Sequence, residues 1–415
     1  MPQMIGLCDC NSFYASCERL FRPDLRERAV VVLSNNDGCI VALSSEAKRL
    51  GIQRGAPLFE ERERLESVGA AIFSSNYTLY QDLSDRVMDT LLTLVGNREV
   101  YSIDEAFFSL DNPKTDHVQS IRDEIIRLTG IPVSLGVART KTLSKLANHE
   151  GKRLSSGVRI LYPEDEQALL KRTAIGEVWG IGRRREAQLY RLGVRTAYDF
   201  ICRDDLWIEK HCTITGLSTA RELRGVRCIP REVEKSISLC SGISFENPKE
   251  SIEELEQSLA CHCATLSTKL RNRGKQAREV TVALYTSRFR DDYIAPSATV
   301  KLEQGTDYTP TLLAAAKVCL SSIYRKAPYK ASRVWVTYLE AEGVHQYSLF
   351  NTEWEQKRIG QEEKLSPVVQ EIQRSYGRRA LVCGTAAAMI KSDLMGQAYL
   401  SPRYTTDWKT LPTAH

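Results

Sequence analysis

Two adjacent carboxylates inside an apolar run are the clearest indication of chemistry in this sequence. Residues 100–110 read V-Y-S-I-D-E-A-F-F-S-L, which predicts a buried strand that carries Asp104 and Glu105. An ionised carboxylate is costly to bury, so the pair must meet cations, lie at a turn or become protonated. A bound divalent metal is the simplest explanation. Taken alone, the run also fits an ordinary strand end whose acids face solvent.

A second acid follows an apolar run near the N-terminus. Residues 4–10 read M-I-G-L-C-D-C and place Asp9 in a comparable setting. Asp9, Asp104 and Glu105 therefore form a candidate triad. Phosphoryl and nucleotidyl transfer with two metal ions needs about three carboxylates, which hold the ions roughly 4 Å apart. Oxygen ligands favour Mg²⁺ over softer metals, so the sequence predicts two Mg²⁺ ions.

The bulk composition is that of a globular protein of two to four domains. The 415 residues are 42% hydrophobic and 26% charged, and the net charge of +5 permits a polyanionic partner without requiring one. We expect no signal peptide and no membrane span, and hence a cytoplasmic protein. The twelve cysteines lack zinc-module spacing, which favours free thiols.

The predicted order of strands and helices up to about residue 150 fits a ferredoxin-like domain. In that fold, acids on the central strands converge at one edge of the sheet. Asp104 and Glu105 would face opposite sides of a regular strand, so a shared site requires a bend or turn at this point.

Two later segments are candidates for DNA binding. Residues 176–200 predict two helices joined by Gly180-Ile181-Gly182, a helix-hairpin-helix in which Gly180, Gly182 and Arg183 approach a DNA phosphate. Residues 235–342 predict a second domain of β-α-β-β-α-β order. Its basic residues include Arg273, Lys275 and Arg288, which fit contacts to a duplex backbone or a solvated basic face.

The last part of the sequence has little strand character. Residues 346–350, Q-Y-S-L-F, form a short apolar anchor in a polar stretch, which is typical of a peptide that docks into a hydrophobic groove through Gln346, Leu349 and Phe350. A disordered tail with incidental apolar residues is the alternative. A helix is predicted near residues 366–376.

Several segments resemble the Y-family translesion DNA polymerases, and in particular their UmuC-type branch, the catalytic subunits of bacterial DNA polymerase V. The resemblance runs almost end to end and is carried by D-C-N-S-F-Y-A-S-C-E from Asp9, S-N-N-D-G-C from Ser34, F-S-S-N-Y from Phe73, Y-S-I-D-E-A-F from Tyr101, T-K-T-L-S-K-L-A-N-H from Thr140 and S-P-R-Y-T-T from Ser401. It implies an α+β, multidomain, right-hand polymerase with a ferredoxin-like palm, small fingers, a helix-hairpin-helix thumb and a little finger. The implied divisions are palm 1–21 and 76–170, fingers 22–75, thumb 171–234, little finger 235–342 and a C-terminal tail 343–415.

The resemblance also assigns roles to residues. Asp9, Asp104, Glu105 and the backbone carbonyl of Cys10 would hold two Mg²⁺ ions. Tyr14 would be the steric gate that excludes a 2′-OH, with Phe13 beside it on the nucleotide floor, whereas its pattern alone equally fits a core aromatic.

The resemblance implies that two lysines bind the triphosphate of the incoming nucleotide. Lys48 lies in S-E-A-K where the family has a Y-E-A-R-like segment, and it offers a point charge without the fork of arginine. Lys152 would contact the phosphates near the leaving group. Lys145 and Lys152 lie two turns apart on one face of the predicted helix, and surface lysines at such spacing are otherwise ordinary.

The implied function is error-prone translesion synthesis in the SOS response, on primer-template DNA with dNTP substrates. The implied partners are a sliding clamp, since residues 346–350 resemble Q-L-S-L-F except at Tyr347, a cleaved UmuD-like dimer and a RecA filament; no membrane is expected. A DNA-binding scaffold without catalysis is the main alternative. A nucleotide cyclase with the same core is disfavoured, because the thumb and little-finger segments would then be idle.

Overall fold

The structure is a computed structural model, and it describes residues 3–230, 237–341, 353–377, 380–382 and 396–407. The chain forms two compact units, one of Met1–Val233 with Gln397–His415 and one of Glu234–Gly396. Both units combine sheets with helices, so the predicted α+β multidomain fold is confirmed. Within the described residues, no helix is both long enough and apolar enough to cross a bilayer.

The first unit contains two sheets and a set of helices. Its strands are β1 (Met4–Cys10), β2 (Val30–Leu33), β3 (Ile40–Leu43), β4 (Ala71–Ser74), β5 (Glu99–Val100), β6 (Glu105–Leu110), β7 (Val133–Ala138) and β8 (Val158–Ile160). Its helices are α1 (Phe13–Leu20), α2 (Ser45–Arg49), α3 (Leu58–Ser67), α4 (Tyr77–Val95), α5 (Thr115–Thr129), α6 (Lys141–Gly151), α7 (Pro163–Arg172), α8 (Arg183–Arg191), α9 (Ala197–Ile201) and α10 (Asp205–Leu223).

The larger sheet, in the palm, has the strand order β5-β6-β1-β7-β8. Its central strand β1 is almost wholly buried, because neighbouring strands flank it and helices cover the sheet. Side chains of α1, α4 and α5 share one core with this sheet, whereas α6 shares a core with helices α7 to α10. The fingers carry the smaller sheet, of order β3-β2-β4, with α2 and α3.

The second unit has the predicted β-α-β-β-α-β order. Its elements are β9 (Ser238–Lys249), α11 (Ile252–Arg271), β10 (Lys275–Tyr285), β11 (Ser297–Thr306), α12 (Thr309–Ile323), β12 (Tyr329–Ala341) and α13 (Glu353–Tyr376). The four strands form an antiparallel sheet of order β11-β10-β12-β9. α13 starts earlier than the helix predicted near residue 366, and Ser366 Oγ donates a hydrogen bond of 2.7 Å to Asp307 Oδ1 of the same unit.

Candidate active site

Asp104 lies on a hairpin turn and not inside a continuous strand. β5 and β6 pair antiparallel, with Val100 opposite Ala106, and the amide of Tyr101 donates to the carbonyl of Glu105 at 3.0 Å. The prediction of one buried strand over residues 100–110 is therefore wrong, because the chain reverses before Glu105. This turn supplies the bend that a shared site requires.

The register of β1 and β6 brings the three predicted acids to one end of the palm sheet. Asp9 is the direct partner of Glu105 across the two strands. The amide of Cys10 donates to the carbonyl of Asp104 at 2.8 Å, which fixes the hairpin turn beside the end of β1. Asp9 and Asp104 are 95 residues apart in the sequence, yet ordinary strand pairing makes the acids neighbours.

Helix α6 places two lysines on these acids. Lys145 Nζ lies 2.7 Å from Glu105 Oε2, and Lys152 Nζ, just after the helix, lies 2.7 Å from Asp9 Oδ1. The helix can pack this close because β7 has a glycine beneath it: a Cβ on Gly136 would come within 2.1 Å of the Asn148 amide nitrogen. The lysines supply the cations that buried carboxylates need.

Burial and charge act in opposite directions on Asp9. The pKa of Asp9 is raised to about 6, chiefly by burial and further by Glu105, against the opposing effect of Lys152. Asp104 is held separately, since its Oδ1 accepts a 2.6 Å hydrogen bond from Ser102 Oγ. Each of the three acids therefore has a protein donor on one of its carboxylate oxygens.

The donor chemistry fits a hard divalent cation. All three side chains offer carboxylate oxygens, which Mg²⁺ prefers. In the part of the chain that the structure describes, no three acidic, histidine or cysteine side chains already converge as a ligand set. The reason is visible in the contacts, because Asp9 and Glu105 point to lysines and Asp104 points to Ser102.

Lys145 is not the surface lysine that its spacing predicted. Its ammonium nitrogen lies 4.6 Å from the ring centroid of Tyr101, 5.0 Å from that of Trp179 and 5.8 Å from that of Phe107. Such cation–π contacts hold a partly desolvated charge in place. The sequence reasoning missed this role, because the rings come from two segments, residues 101–107 and Trp179, which are both distant from Lys145 in the sequence.

The predicted steric gate Tyr14 lies in an aromatic cluster. Its ring stacks on Tyr80 with centroids 4.4 Å apart and meets Tyr77 edge-on at 6.1 Å. Burial raises the pKa of Tyr14, and the charge of Arg54 opposes this. Arg54, which the sequence reasoning missed, is thus a further cation near Tyr14. Phe13 is only 4% exposed and belongs to the palm core, and its place on the nucleotide floor stays a prediction.

Lys48 reaches the start of helix α1. Its Nζ donates a 3.2 Å hydrogen bond to Ser12 Oγ, two residues before Tyr14. Ser12 itself has a left-handed backbone, with φ of 48°, at the turn between β1 and α1. The structure therefore brings Lys48 to the Tyr14 region and Lys152 to Asp9.

A buried acid behind Tyr14 was also missed. Glu18 is fully buried, and its Oε1 accepts hydrogen bonds from Tyr80 Oη at 2.6 Å and from Ser401 Oγ at 3.1 Å. Burial raises the pKa of Glu18 to about 7, against the lowering effect of these two hydroxyls. Its position in C-E-R-L gave no signal, because the helix pattern of α1 alone does not show which face is covered.

Comparisons with known proteins decide the family. The chain matches the model of the impB/mucB/samB family over residues 8–149, that family's C-terminal domain over 235–349 and its HHH motif over 163–194. Protein UmuC of Salmonella typhimurium is 40% identical over 423 residues, which cover 98% of this chain and 99% of the relative. The chain belongs to the UmuC-type Y-family DNA polymerases. The predicted family and enzyme class are therefore confirmed.

Other relatives and solved structures agree with this assignment. Protein MucB of Salmonella typhimurium is 35% identical over 99% of each chain, and DNA polymerase IV of Halorhodospira halophila is 30% identical over 66% of this chain and 79% of its own. A Y-family chimera of the polymerases Dbh and Dpo4 superimposes with a TM-score of 0.66 at 20% identity, over 82% of this chain and all of the chimera. That likeness shows the fold.

The thumb of this Y-family chain carries the helix-hairpin-helix motif. Gly180 has a φ of 87°, which favours glycine, and Gly182 is the N-cap residue of α8, where no side chain caps the helix. An open cavity of about 520 Å³ lies over this turn, lined by Gly180, Gly182, Arg183, Arg184, Arg185 and Gln188. Arg185 donates to the Cys212 carbonyl at 2.6 Å, whereas Arg183 and Arg184 are exposed. Free backbone N–H groups at such a helix start suit a phosphate.

The predicted basic residues of the little finger do not form one patch. Arg273 and Lys275 lie at the start of β10, and Arg288 lies beyond its far end, a separation of about 35 Å along the strand. Between them, the sheet face opposite α11 and α12 carries Arg333 and Lys301, which the sequence reasoning missed. The clamp-motif residues Gln346, Leu349 and Phe350 lie outside the described residues.

The raised pKa of Glu18 predicts a pH-dependent stability. A neutral Glu18 stabilises the fold fully below its ordinary pKa of 4.5, and this contribution is lost as the pH rises through about 7. Over that interval the loss is on the order of 3 kcal/mol. Glu18→Gln should therefore flatten the dependence of the unfolding free energy on pH between 5 and 8, as measured by urea denaturation.

Neighbouring groups do not interfere in this window, because burial raises the pKa values of Cys17, Tyr80 and Tyr404 above their already alkaline ordinary values. Glu63→Gln, at an exposed acid, is the control and should give a curve parallel to the parent. A Glu18→Gln curve that also ran parallel to the parent would contradict the prediction.

The thumb geometry predicts a salt-dependent effect. Arg183→Ala with Arg184→Ala should weaken primer-template binding and lower the slope of log affinity against log salt by about one for each lost phosphate contact. Titrations at several salt concentrations measure this. Arg191→Ala, at the other end of α8, is the matched control and should keep the parent slope. Equal salt slopes for the parent and both variants would show that Arg183 and Arg184 do not contact the DNA backbone.

Proposed function

We propose that this protein is a template-directed DNA polymerase that copies past damaged bases, with Asp9, Asp104 and Glu105 as its catalytic acids. The observation that carries the proposal is the register of β1 and β6, which pairs Asp9 with Glu105 beside the turn that holds Asp104. Three carboxylates at one sheet end, with lysines against two of them, match the needs of nucleotidyl transfer.

Two Mg²⁺ ions are the proposed cofactors, held by the three acids and the carbonyl of Cys10. When bound, such ions activate the attacking primer oxygen and neutralise the charge of the triphosphate. Lys152, which contacts Asp9, would hold phosphate oxygens of the triphosphate with its ammonium group. Lys145, held within its aromatic rings, fixes the orientation of the Glu105 carboxylate.

The remaining residues bind and select the nucleotide. Lys48 and Lys152 provide point charges for the triphosphate, and Tyr14, backed by Tyr80, excludes a ribose 2′-OH. The Gly180 to Arg183 turn of the thumb and the basic residues of the little finger bind the primer-template backbone without reading its sequence. Error-prone synthesis in the SOS response is part of the proposal and is based on the resemblance.

Several partners are proposed from the resemblance alone. They are a sliding clamp bound through residues 346–350, a cleaved UmuD-like dimer and a RecA filament, and a cytoplasmic location remains a prediction as well. The alternative hypothesis is a DNA-binding scaffold without catalysis. It does not explain why three acids and two lysines meet at one end of the palm sheet.

The proposed metal site predicts the effect of Asp104→Asn. Primer extension should fall by at least about a hundredfold, because a lost metal ligand removes several kcal/mol of transition-state stabilisation. Primer-template affinity should stay within a few fold, since phosphate contacts elsewhere carry it. Asp111→Asn, the same change just past the other end of β6, is the control and should extend primers normally. Near-normal extension by Asp104→Asn would contradict the assignment of Asp104 as a metal ligand.

The gate assignment predicts altered sugar selection. Tyr14→Ala should open space under the 2′-carbon and lower the preference for dNTP over rNTP by about 10- to 100-fold. Tyr14→Phe keeps the ring and should retain the preference. Single-nucleotide insertion with matched dNTP and rNTP measures this preference as a ratio. An unchanged ratio in Tyr14→Ala would contradict the gate role and favour Tyr14 as a core aromatic.

A further inference from the structure

A short C-terminal segment, residues 397–407, folds back onto the first unit. It lies in residues 363–414, which match a domain family of unknown function. On the fingers, the amide of Ala398 donates to Asp37 Oδ2 at 2.8 Å. The amide of Ser74 donates to the Tyr399 carbonyl at 3.0 Å, and the amide of Tyr399 donates to Ser74 Oγ at 3.0 Å. The segment therefore covers the end of the edge strand β4.

The same segment also holds the palm. Asn76, which caps the start of α4, donates its side-chain amide to the carbonyls of Ser401 and Pro402, each at 3.2 Å, and to Ser401 Oγ at 3.0 Å. Further on, the ring of Tyr404 stacks on Phe21, just after α1, with centroids 4.4 Å apart. The C-terminal segment thus fastens β4 of the fingers to α1 and α4 of the palm.

One chain of contacts leads from this segment to Tyr14. Ser401 Oγ and Tyr80 Oη donate to the same oxygen of Glu18, and the Tyr80 ring stacks directly on the ring of Tyr14. Glu18 is fully buried, and among the described residues its other oxygen, Oε2, has no hydrogen-bond partner. A buried acid with so few donors depends strongly on each of them.

The arrangement restricts the position of Tyr80. Its hydroxyl is tied to an acid that the C-terminal segment holds from the other side, so the ring has little freedom to tilt. Tyr14 rests on that ring and is itself only half-buried, so its other surface needs this support. A shift of a few tenths of an ångström at Ser401 would pass through rigid groups to Tyr14.

We propose that the C-terminal segment positions the sugar-selecting tyrosine, with Ser401, Glu18 and Tyr80 as positioning residues that act through Tyr14. This rests on the proposed function, because the gate role of Tyr14 is itself proposed. The segment then helps to determine the selection of dNTP over rNTP, in addition to stabilising the fold.

Two variants of the full-length chain test the proposal. Ser401→Ala removes the hydroxyl that donates to Glu18 and should lower the dNTP over rNTP insertion ratio by about two- to tenfold, the range that one hydrogen bond spans. Asn76→Asp keeps the oxygen that caps α4 but removes the amide donor to residues 401 and 402, so it should release the segment and lower the ratio further. Hydrogen exchange over residues 397–407 reports the release.

Controls separate this role from general stability. Tyr399→Phe lies in the same segment and loses only a hydroxyl contact to Arg62, so it should keep the parent ratio. Adding Ser401→Ala to Tyr14→Ala should cause no further change in the ratio, since the effect passes through the Tyr14 ring. An additive loss in the double variant would overturn the proposal.

The outcomes distinguish the two proposals. If Tyr14→Ala changes the ratio and Ser401→Ala does not, the positioning role is refuted and the gate stands, whatever Asn76→Asp does to folding. If Tyr14→Ala leaves the ratio unchanged, the gate assignment falls, and the positioning proposal falls with it.

Discussion

The burial of acids at the end of β1 and β6 is the constraint on which the rest of the active site depends. Strand pairing places Asp9 and Glu105 side by side, and neither charge is tolerable there without a nearby cation. Helix α6 supplies both cations, and it can do so only because Gly136 lets its backbone lie against β7. The aromatic rings around Lys145 then fix one of these cations. Sheet, helix and rings are therefore parts of one electrostatic arrangement.

The two lysines also stabilise the end of the palm sheet. They place a positive charge against Asp9 and Glu105, which lie side by side on paired strands. Removing either lysine would leave a carboxylate there without its cation, which is strongly destabilising. Burial nevertheless raises the pKa of Asp9 to about 6, so the effect of burial outweighs that of Lys152.

The sequence predicted those features that local patterns encode. The amphipathic spacing over Tyr77–Val95 and the β-α-β-β-α-β order of the second unit are examples, since periodicity reports them directly. The turn at Asp104 was expected only as a requirement of a shared site, and its hairpin was not predicted, because an apolar run does not show where a strand reverses to pair with its neighbour. The rings around Lys145 and the buried position of Glu18 were missed for a related reason: each depends on contacts between segments distant in sequence.

The C-terminal segment, residues 397–407, also makes contacts with segments that are distant in the sequence. Asn76 and Ser401 are 325 residues apart, and nothing in the composition of either segment indicates their contact. The chain connectivity explains why a few hydrogen bonds suffice to hold it. The chain leaves the first unit at residue 233 and returns at residue 397, so the segment is covalently tethered to the surface that it binds. Because the segment belongs to the same chain, its docking is an intramolecular event and avoids the entropy cost of bringing two separate molecules together. The link between this segment and Tyr14 therefore needs no large interface, only the few buried groups that meet at Glu18.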